Sequence, residues 1–277
     1  MKSTLTFIHA LSPLHAGTGQ GVGVIDLPIA REKATNLPYL PGSTLKGSLR
    51  DELGNENGLR DKIFGPEKVE NDSAYSGSIV FTDQKLLCLP VRSLLGTFAW
   101  VTSPYILERF KRDCESNVTV NKPDSSNCIV STTSAIKYSD TKVILEDLDL
   151  TIQTDNADAW ADFLAKKIFS TSETWQDYFK QRFCIVSDDV MNFLAETATE
   201  VIARNKLDDD TKTTVKGALW YEESLPTETI LSGLLLEVKG DHISDIVKIA
   251  KTPIQLGGSM TVGRGLCQMI IDNGGQN

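Results

Sequence analysis

Apolar residues recur along the chain with two alternating spacings, and the changes of spacing mark the elements. Residues 3–11 carry the run Leu5 to Leu11, broken by Thr6 and His9, and read as a first strand. Leu45, Leu49 and Leu53 repeat at spacing four, which predicts a helix from 43 with Ser43 as its N-cap. Lys46 and Arg50 repeat at the same spacing on a neighbouring face. Ser78 to Leu89 reads as a strand and Tyr105 to Arg112 as a helix. The polar stretch 113–127 reads as a mobile loop. Leu148, Leu150 and Ile152 alternate with acids and threonine, the pattern of a half-buried strand, and 157–180 has helical spacing.

Further on, two β-prone runs, Glu200–Arg204 and Thr213–Lys216, flank the turn-like Asp208-Asp209-Asp210 and predict a hairpin. Period two puts Arg204 and Lys206 on one side of its outgoing strand, and Lys212, Thr214 and Lys216 on one side of the return. A two-stranded arm with basic sides suits nucleic acid. Thr229 to Val238 reads as a strand. A helix capped by Asp241 follows, with Ile243, Ile246, Val247 and Ala250 on one face, and then a last strand, 266–271. Hairpins and insertions break the alternation of strand and helix, so the class is α+β with an antiparallel or mixed sheet.

Composition narrows the class. The 277 residues, 40% of them hydrophobic and 23% charged, can build a large core and do not read as disordered. The formal net charge of −9 counts against a nucleic-acid binder unless its positive field is local. Basic residues do gather at Arg31, Lys33, Lys46 and Arg50, and between 204 and 216, while acids concentrate in Glu146–Asp149 and Asp208–Asp210. The five cysteines, at 88, 114, 128, 184 and 267, form no C-x-x-C pair and read as reduced cytoplasmic thiols. No run has the length of a membrane span, and the N-terminal run is too short and polar for a signal peptide.

Candidate chemistry concentrates in two glycine loops. The first, Gly17-Thr18-Gly19-Gln20-Gly21-Val22-Gly23, is followed by Asp26 between Ile25 and Leu27; Pro41-Gly42 then opens the helix with Lys46 and Arg50. Val22 at the sixth position breaks a dinucleotide fingerprint. The second, Leu256–Gly265, has Arg264 and Gly265 where a phosphate loop needs Lys and Ser or Thr. Each loop alone is compatible with a surface turn; two together suggest a shared face that approaches a nucleic-acid backbone. Asp26 reads either as a turn cap or as a carboxylate holding a divalent cation beside a phosphate. Lys46 and Arg50 read either as solvated charges or as phosphate ligands at a helix start. Of three histidines, His9 lies inside the first strand, His242 at a helix start, and His15 just before the glycine loop; they form no cluster or triad.

The runs Leu14–Glu32, Leu37–Arg50, Lys216–Pro226 with its Ala-Leu-Trp-Tyr-Glu-Glu, and Leu256–Gly265 occur in an order that resembles a family. They look like the repeated backbone (RAMP) subunit of type III-B (Cmr) CRISPR effectors. The resemblance covers both ends of the chain but not 90–200. It implies a single domain, 1–277: an RRM-like (ferredoxin-like) palm, mainly helical insertions over 90–195, and a protruding β-hairpin thumb over 199–226. It implies copies stacked in a helical filament on guide RNA, beside other subunits of the effector, with target RNA cut at regular intervals. On this reading Asp26 is the catalytic residue and the metal ligand, with Mg²⁺ or Mn²⁺ as cofactor. His15, Lys46, Glu228 and the loop with Gly257, Gly258, Gly263 and Arg264 fall where the family contacts RNA. Gly17, Gly19 and Arg50, with Arg204, Lys206 and Lys216 of the hairpin, complete the expected RNA surface. Two rival readings stay open: a structural RNA-binding subunit without cleavage, and a metal-independent guide-processing ribonuclease using His15.

Overall fold

The computed structural model describes residues 2–19, 21, 23–54, 58–66, 75–208, 210 and 213–272, with the side chains of Leu207 and Lys216 set aside. Lys212, expected on the basic side of the hairpin, lies outside the described residues.

Strand β1 (Lys2–Ala10) is buried without a break from Thr4 to Ala10, so it is a central strand covered on both faces. It is flanked by two antiparallel strands, β13 (Ile230–Glu237) and β15 (Leu266–Asp272). β13 in turn pairs antiparallel with β4 (Gln84–Arg92). The order β15-β1-β13-β4 is extended at one edge by β14 (Ile254–Gln255). Short strands β2 (Tyr39–Leu40) and β3 (Ile79–Phe81) pair with β4 and β13. Ser78 to Leu89 is therefore two strands rather than one. The break lies at Thr82-Asp83, where Thr82 Oγ1 accepts a hydrogen bond from Leu234 N at 2.8 Å and the register on β13 slips.

Helix α1 (Gly42–Glu52) follows β2, buries Leu45 and Leu49, and touches α2 (Leu59–Phe64) and α7 (Ile243–Ile249). Ser43 does not cap α1. The helix begins a residue earlier, because Asp83 Oδ1 takes the Gly42 N–H at 2.8 Å, and a Cβ on Gly42 would sit 2.3 Å from Phe81 O. Asp241 does not cap α7 either. Glu237, at the end of β13, supplies the carboxylate that accepts from His242 N and Ile243 N.

Beyond β4 the sheet continues through β5 (Phe98–Thr102), β10 (Phe183–Val186), β6 (Asn127–Val130), β9 (Leu148–Ile152), β8 (Lys142–Leu145) and β7 (Lys137–Ser139). β10 runs parallel to β5 and β6 parallel to β9, so the sheet is mixed. Helices α3 (Pro104–Cys114), α4 (Asp158–Ile168), α5 (Glu173–Arg182) and α6 (Asp188–Thr197) share this span. Residues 90–195, expected to be mainly helical, thus contain strands β5 to β10 as well. Short apolar runs such as Phe183–Val186 are buried at every position and show no alternation to read. The insertion covers one face of β1: the Phe7 ring lies 5.8 Å from that of Phe110, and the His9 ring 5.4 Å from that of Phe169. The polar stretch 113–127 is pinned rather than loose, since Trp160 Nε1 donates to Thr119 O and Val118 and Val120 pack on the core.

Strands β11 (Glu200–Leu207) and β12 (Thr214–Ser224) form a separate two-stranded sheet, tied to the rest at its base. Val201, Ile202, Val215, Leu219 and Tyr221 are exposed on it. All five cysteines are free thiols; four are buried, and burial pushes Cys267 up to about 12. Among the described residues no helix is long and apolar enough to cross a membrane.

Candidate nucleic-acid interface

The first glycine loop is a stem with an open tip. Leu14, Ala16, Ile29 and Ala30 are buried and anchor the stem, where Ala30 N donates to Ala16 O at 2.7 Å and Gly17 bridges to Ile29. The tip projects: Gly19 has φ +94° with open space around it, and Val24 is 90% exposed. On its return the chain lies beside the base of the hairpin. Leu27 N donates to Tyr221 O at 3.0 Å and Glu223 N to Leu27 O at 3.0 Å. Asp26 is exposed there, and its Oδ2 accepts from Tyr221 N at 2.8 Å. Its other oxygen has no partner among the described residues.

The second glycine loop folds onto the first around His15. The imidazole Nδ1 lies 2.6 Å from Glu223 O, a carbonyl that can only accept, so Nδ1 carries the proton. Gly258 N donates to His15 O at 3.1 Å. A Cβ on Gly17 would lie 2.4 Å from His15 Nε2, and one on Gly257 only 2.3 Å from His15 O. These glycines are required by packing around His15. Gly263 has φ +78°, ends the 3₁₀ turn Met260–Val262 and has free space around it.

Two adjacent acids of the Ala-Leu-Trp-Tyr-Glu-Glu run, given no role in the site by the sequence reading, tie these parts together. Glu222 is 4% exposed; it pairs with Arg204 Nε at 2.9 Å and accepts from Ser259 Oγ at 3.1 Å. Arg264 Nε stands 3.9 Å from Glu222, and its Nη1 donates to Ser224 Oγ at 3.1 Å. Glu223 pairs with Arg31 Nη2 at 2.6 Å and accepts from Ile29 N at 3.1 Å and Thr199 Oγ1 at 3.0 Å. A buried charge needs partners of this kind. The signal for them was an acid pair closing a β-prone run, where apolar residues would be ordinary.

The expected RNA-contact residues therefore divide. His15, Gly17, Gly257, Gly258, Arg204 and Arg264 converge with Asp26 at the hairpin base, though both arginines face the buried Glu222. Lys206 is exposed further out on β11, and the side chain of Lys216 lies outside the described residues. Lys46 is half-buried on α1, lines an open cavity of about 560 Å³ with Phe64, Tyr75 and Phe81, and has no ion-pair partner among the described residues. Arg50 is paired with Asp61 Oδ1 at 3.3 Å. Glu228 stands apart: its carboxylate meets His9 Nε2 at 2.6 Å, and its carbonyl accepts from Trp100 Nε1 at 2.8 Å. Those bonds turn Glu228 toward the protein, and its place among RNA contacts is not supported by this geometry.

The donor set for a metal is small. Among the described residues no group of three or more His, Cys, Asp or Glu could hold an ion. Asp26 can offer one carboxylate, which suits an ion that completes its shell with water and phosphate oxygens, as magnesium does.

The comparisons with known proteins bear on this surface. The profile of the RAMP superfamily matches residues 7–268. The CRISPR system Cmr endoribonuclease Cmr4 of Pyrococcus furiosus is 34% identical over 294 aligned positions, covering 99% of each chain. An oligomeric crystal structure of Cmr4 from Pyrococcus furiosus superposes with a TM-score of 0.74 at 31% identity, over 98% of each chain. A chain of a type III-B Cmr-beta complex bound to cognate target RNA has the same fold, with a TM-score of 0.76 at 20% identity over 98% of this chain and 97% of its own.

Proposed function

The chain belongs to the RAMP superfamily, and from that premise we propose that it is the guide-RNA-binding backbone subunit of a type III-B CRISPR effector and cuts target RNA with Asp26. The similarity to an endoribonuclease over the whole chain supports the class of activity. The strand order β15-β1-β13-β4 with α1 and α7 as crossovers supports an RRM-like palm, and the hairpin β11–β12 supports the role of thumb. An oligomeric relative and a target-bound relative support a filament of copies on guide RNA, alongside other subunits.

One observation carries the catalytic reading: an exposed carboxylate on a glycine-rich tip, fixed at 2.8 Å to the backbone of the hairpin base. RNA brings its own nucleophile, the 2′-hydroxyl, so the protein must align that oxygen with the phosphorus and the leaving 5′-oxygen. Alignment of this kind can lower a barrier by about 7–11 kcal/mol in the best intramolecular cases. A hairpin that displaces one base pair would free the nucleotide to bend, at a cost of about a few kcal/mol. The open glycine tip lets the strand approach the backbone closely, and Tyr221 N holds one oxygen of Asp26 so that the other faces the linkage. Asp26 would be the residue to hold a divalent ion such as Mg²⁺ or Mn²⁺, and that ion would supply charge stabilisation at the phosphate. The products are a 2′,3′-cyclic phosphate and a 5′-hydroxyl. Base pairing with the guide selects the target, and the protein reads backbone and shape. The guide-processing alternative draws no support from His15, a buried ring with Nδ1 committed to Glu223 O and Nε2 packed against Gly17.

The test is the assembled particle carrying Asp26→Asn. Cutting should fall by at least a hundredfold, while assembly and target affinity stay at parental values. Cutting at the parental rate would remove Asp26 from the chemistry.

A further inference from the structure

Asp26 lies on an exposed tip, yet three residues downstream the same segment enters a buried polar cluster. Ile29 N donates to Glu223 Oε2, and Arg31 Nη2 reaches Glu223 Oε1 at 2.6 Å. The same Arg31 nitrogen donates to Ala195 O, near the C-terminal end of α6, at 3.0 Å, and Nη1 donates to Asn36 O at 3.0 Å. One guanidinium thus gathers the hairpin base, the end of the insertion and its own loop. The rigid guanidinium fork carries five donors and serves these acceptors from one fixed group, with less conformational freedom to lose per bond than a lysine ammonium on its flexible stem. We infer that Arg31 is a positioning residue: through the buried Glu223 it sets the register of the Asp26 segment against the hairpin.

The physical reason is the burial of Glu223, 3% exposed. Its other partners, Ile29 N and Thr199 Oγ1, are neutral donors. Without Arg31 the carboxylate is a buried charge with no cation, which draws in water and loosens its neighbours. The first neighbour to loosen is Ile29 N, next to the Leu27–Glu223 pairing that places Asp26 Oδ2 on Tyr221 N. A displacement of about 1 Å at a reacting group can cost roughly a hundredfold in rate.

The effect on cutting rests on the reading of Asp26 above, so the test has two readouts in the assembled particle. The first is amide hydrogen exchange over 27–31; the second is single-turnover cutting at saturating target. Arg31→Met should raise exchange there about tenfold or more and slow cutting ten- to hundredfold, with target affinity changed less than twofold. Adding Glu223→Gln to Arg31→Met removes the unpaired charge and should return both readouts most of the way to parental values, a rescue that general loss of stability would not show. If Arg31→Met fails to assemble, Arg31→Lys, which keeps the charge without the fork, should give intermediate values of both. Unchanged exchange in the variant that is measured overturns the inference, and so does faster exchange with unchanged cutting when Asp26→Asn abolishes cutting. Failure of the catalytic reading looks different: Asp26→Asn would cut normally, and the exchange readout would still judge the clamp.

Discussion

Gly257 and Gly263 have nearly the same backbone, φ +72° and +78°, in the same loop, yet opposite surroundings. A Cβ on Gly263 meets nothing within 4 Å, whereas one on Gly257 would lie 2.3 Å from His15 O. Gly263→Ala therefore carries only the cost of a left-handed alanine, about 1–2 kcal/mol. Gly257→Ala carries the same cost plus the overlap. The contact must open by about 1 Å to reach the ~3.3 Å of an ordinary C···O approach. His15 cannot simply move away, since its ring is held by Glu223 O at 2.6 Å and its carbonyl by Gly258 N at 3.1 Å. Forced overpacking costs about 1–3 kcal/mol, and losing the carbonyl hydrogen bond about 1 kcal/mol more. The expected losses are then about 1–2 kcal/mol for Gly263→Ala and roughly 3–6 kcal/mol for Gly257→Ala. Urea unfolding of the full chain, with equal m-values, measures both. Guide-RNA affinity should fall for Gly257→Ala, because the two glycine loops separate. Equal destabilisation by the two substitutions would refute the claim that packing on His15 joins the loops.

Two further outcomes are expected. Lys46→Ala should lower the slope of log affinity for guide RNA against log salt by about 0.7, the value for one phosphate contact to a single strand; an unchanged slope, read by fluorescence anisotropy, would leave Lys46 a solvated charge. Asp245, which accepts from Lys248 at 2.8 Å and faces His242, has its carboxyl held below the usual carboxylate range by those two groups. A lowered folded value means the stability it adds is present above about pH 4 and drains away as pH falls through that value. Asp245→Asn should therefore narrow the gap in unfolding midpoint between pH 6 and pH 3, and an unaltered gap would show the pairing to be without effect.

Much of the fold was legible because it is written in local pattern. The β1 run, the α3, α4 and α5 spacing and the two β-prone runs of the hairpin lie where the periodicity put them. The errors came where local chemistry had a stronger competitor from afar. Ser43 and Asp241 are good caps in isolation, but Asp83 and Glu237, brought in from the sheet, reach those helix starts instead. Within the insertion, Phe98–Thr102 and Phe183–Val186 hid as strands because burial at nearly every position erases alternation, whereas Leu148–Ile152 kept its alternation and was legible.

The two glycine loops and Asp26 could be singled out from the sequence, since glycine spacing and a lone acid between apolar residues are local facts. That Glu222 and Glu223 would take up Arg204, Arg264 and Arg31, or that Glu228 would turn to His9, could not be read there. Charge on a chain is a property of each residue alone. Whether that charge faces RNA or a buried partner depends on distances between segments from 18 positions apart, for Arg204 and Glu222, to 219 apart, for His9 and Glu228, and only the folded sheet with its hairpin sets those.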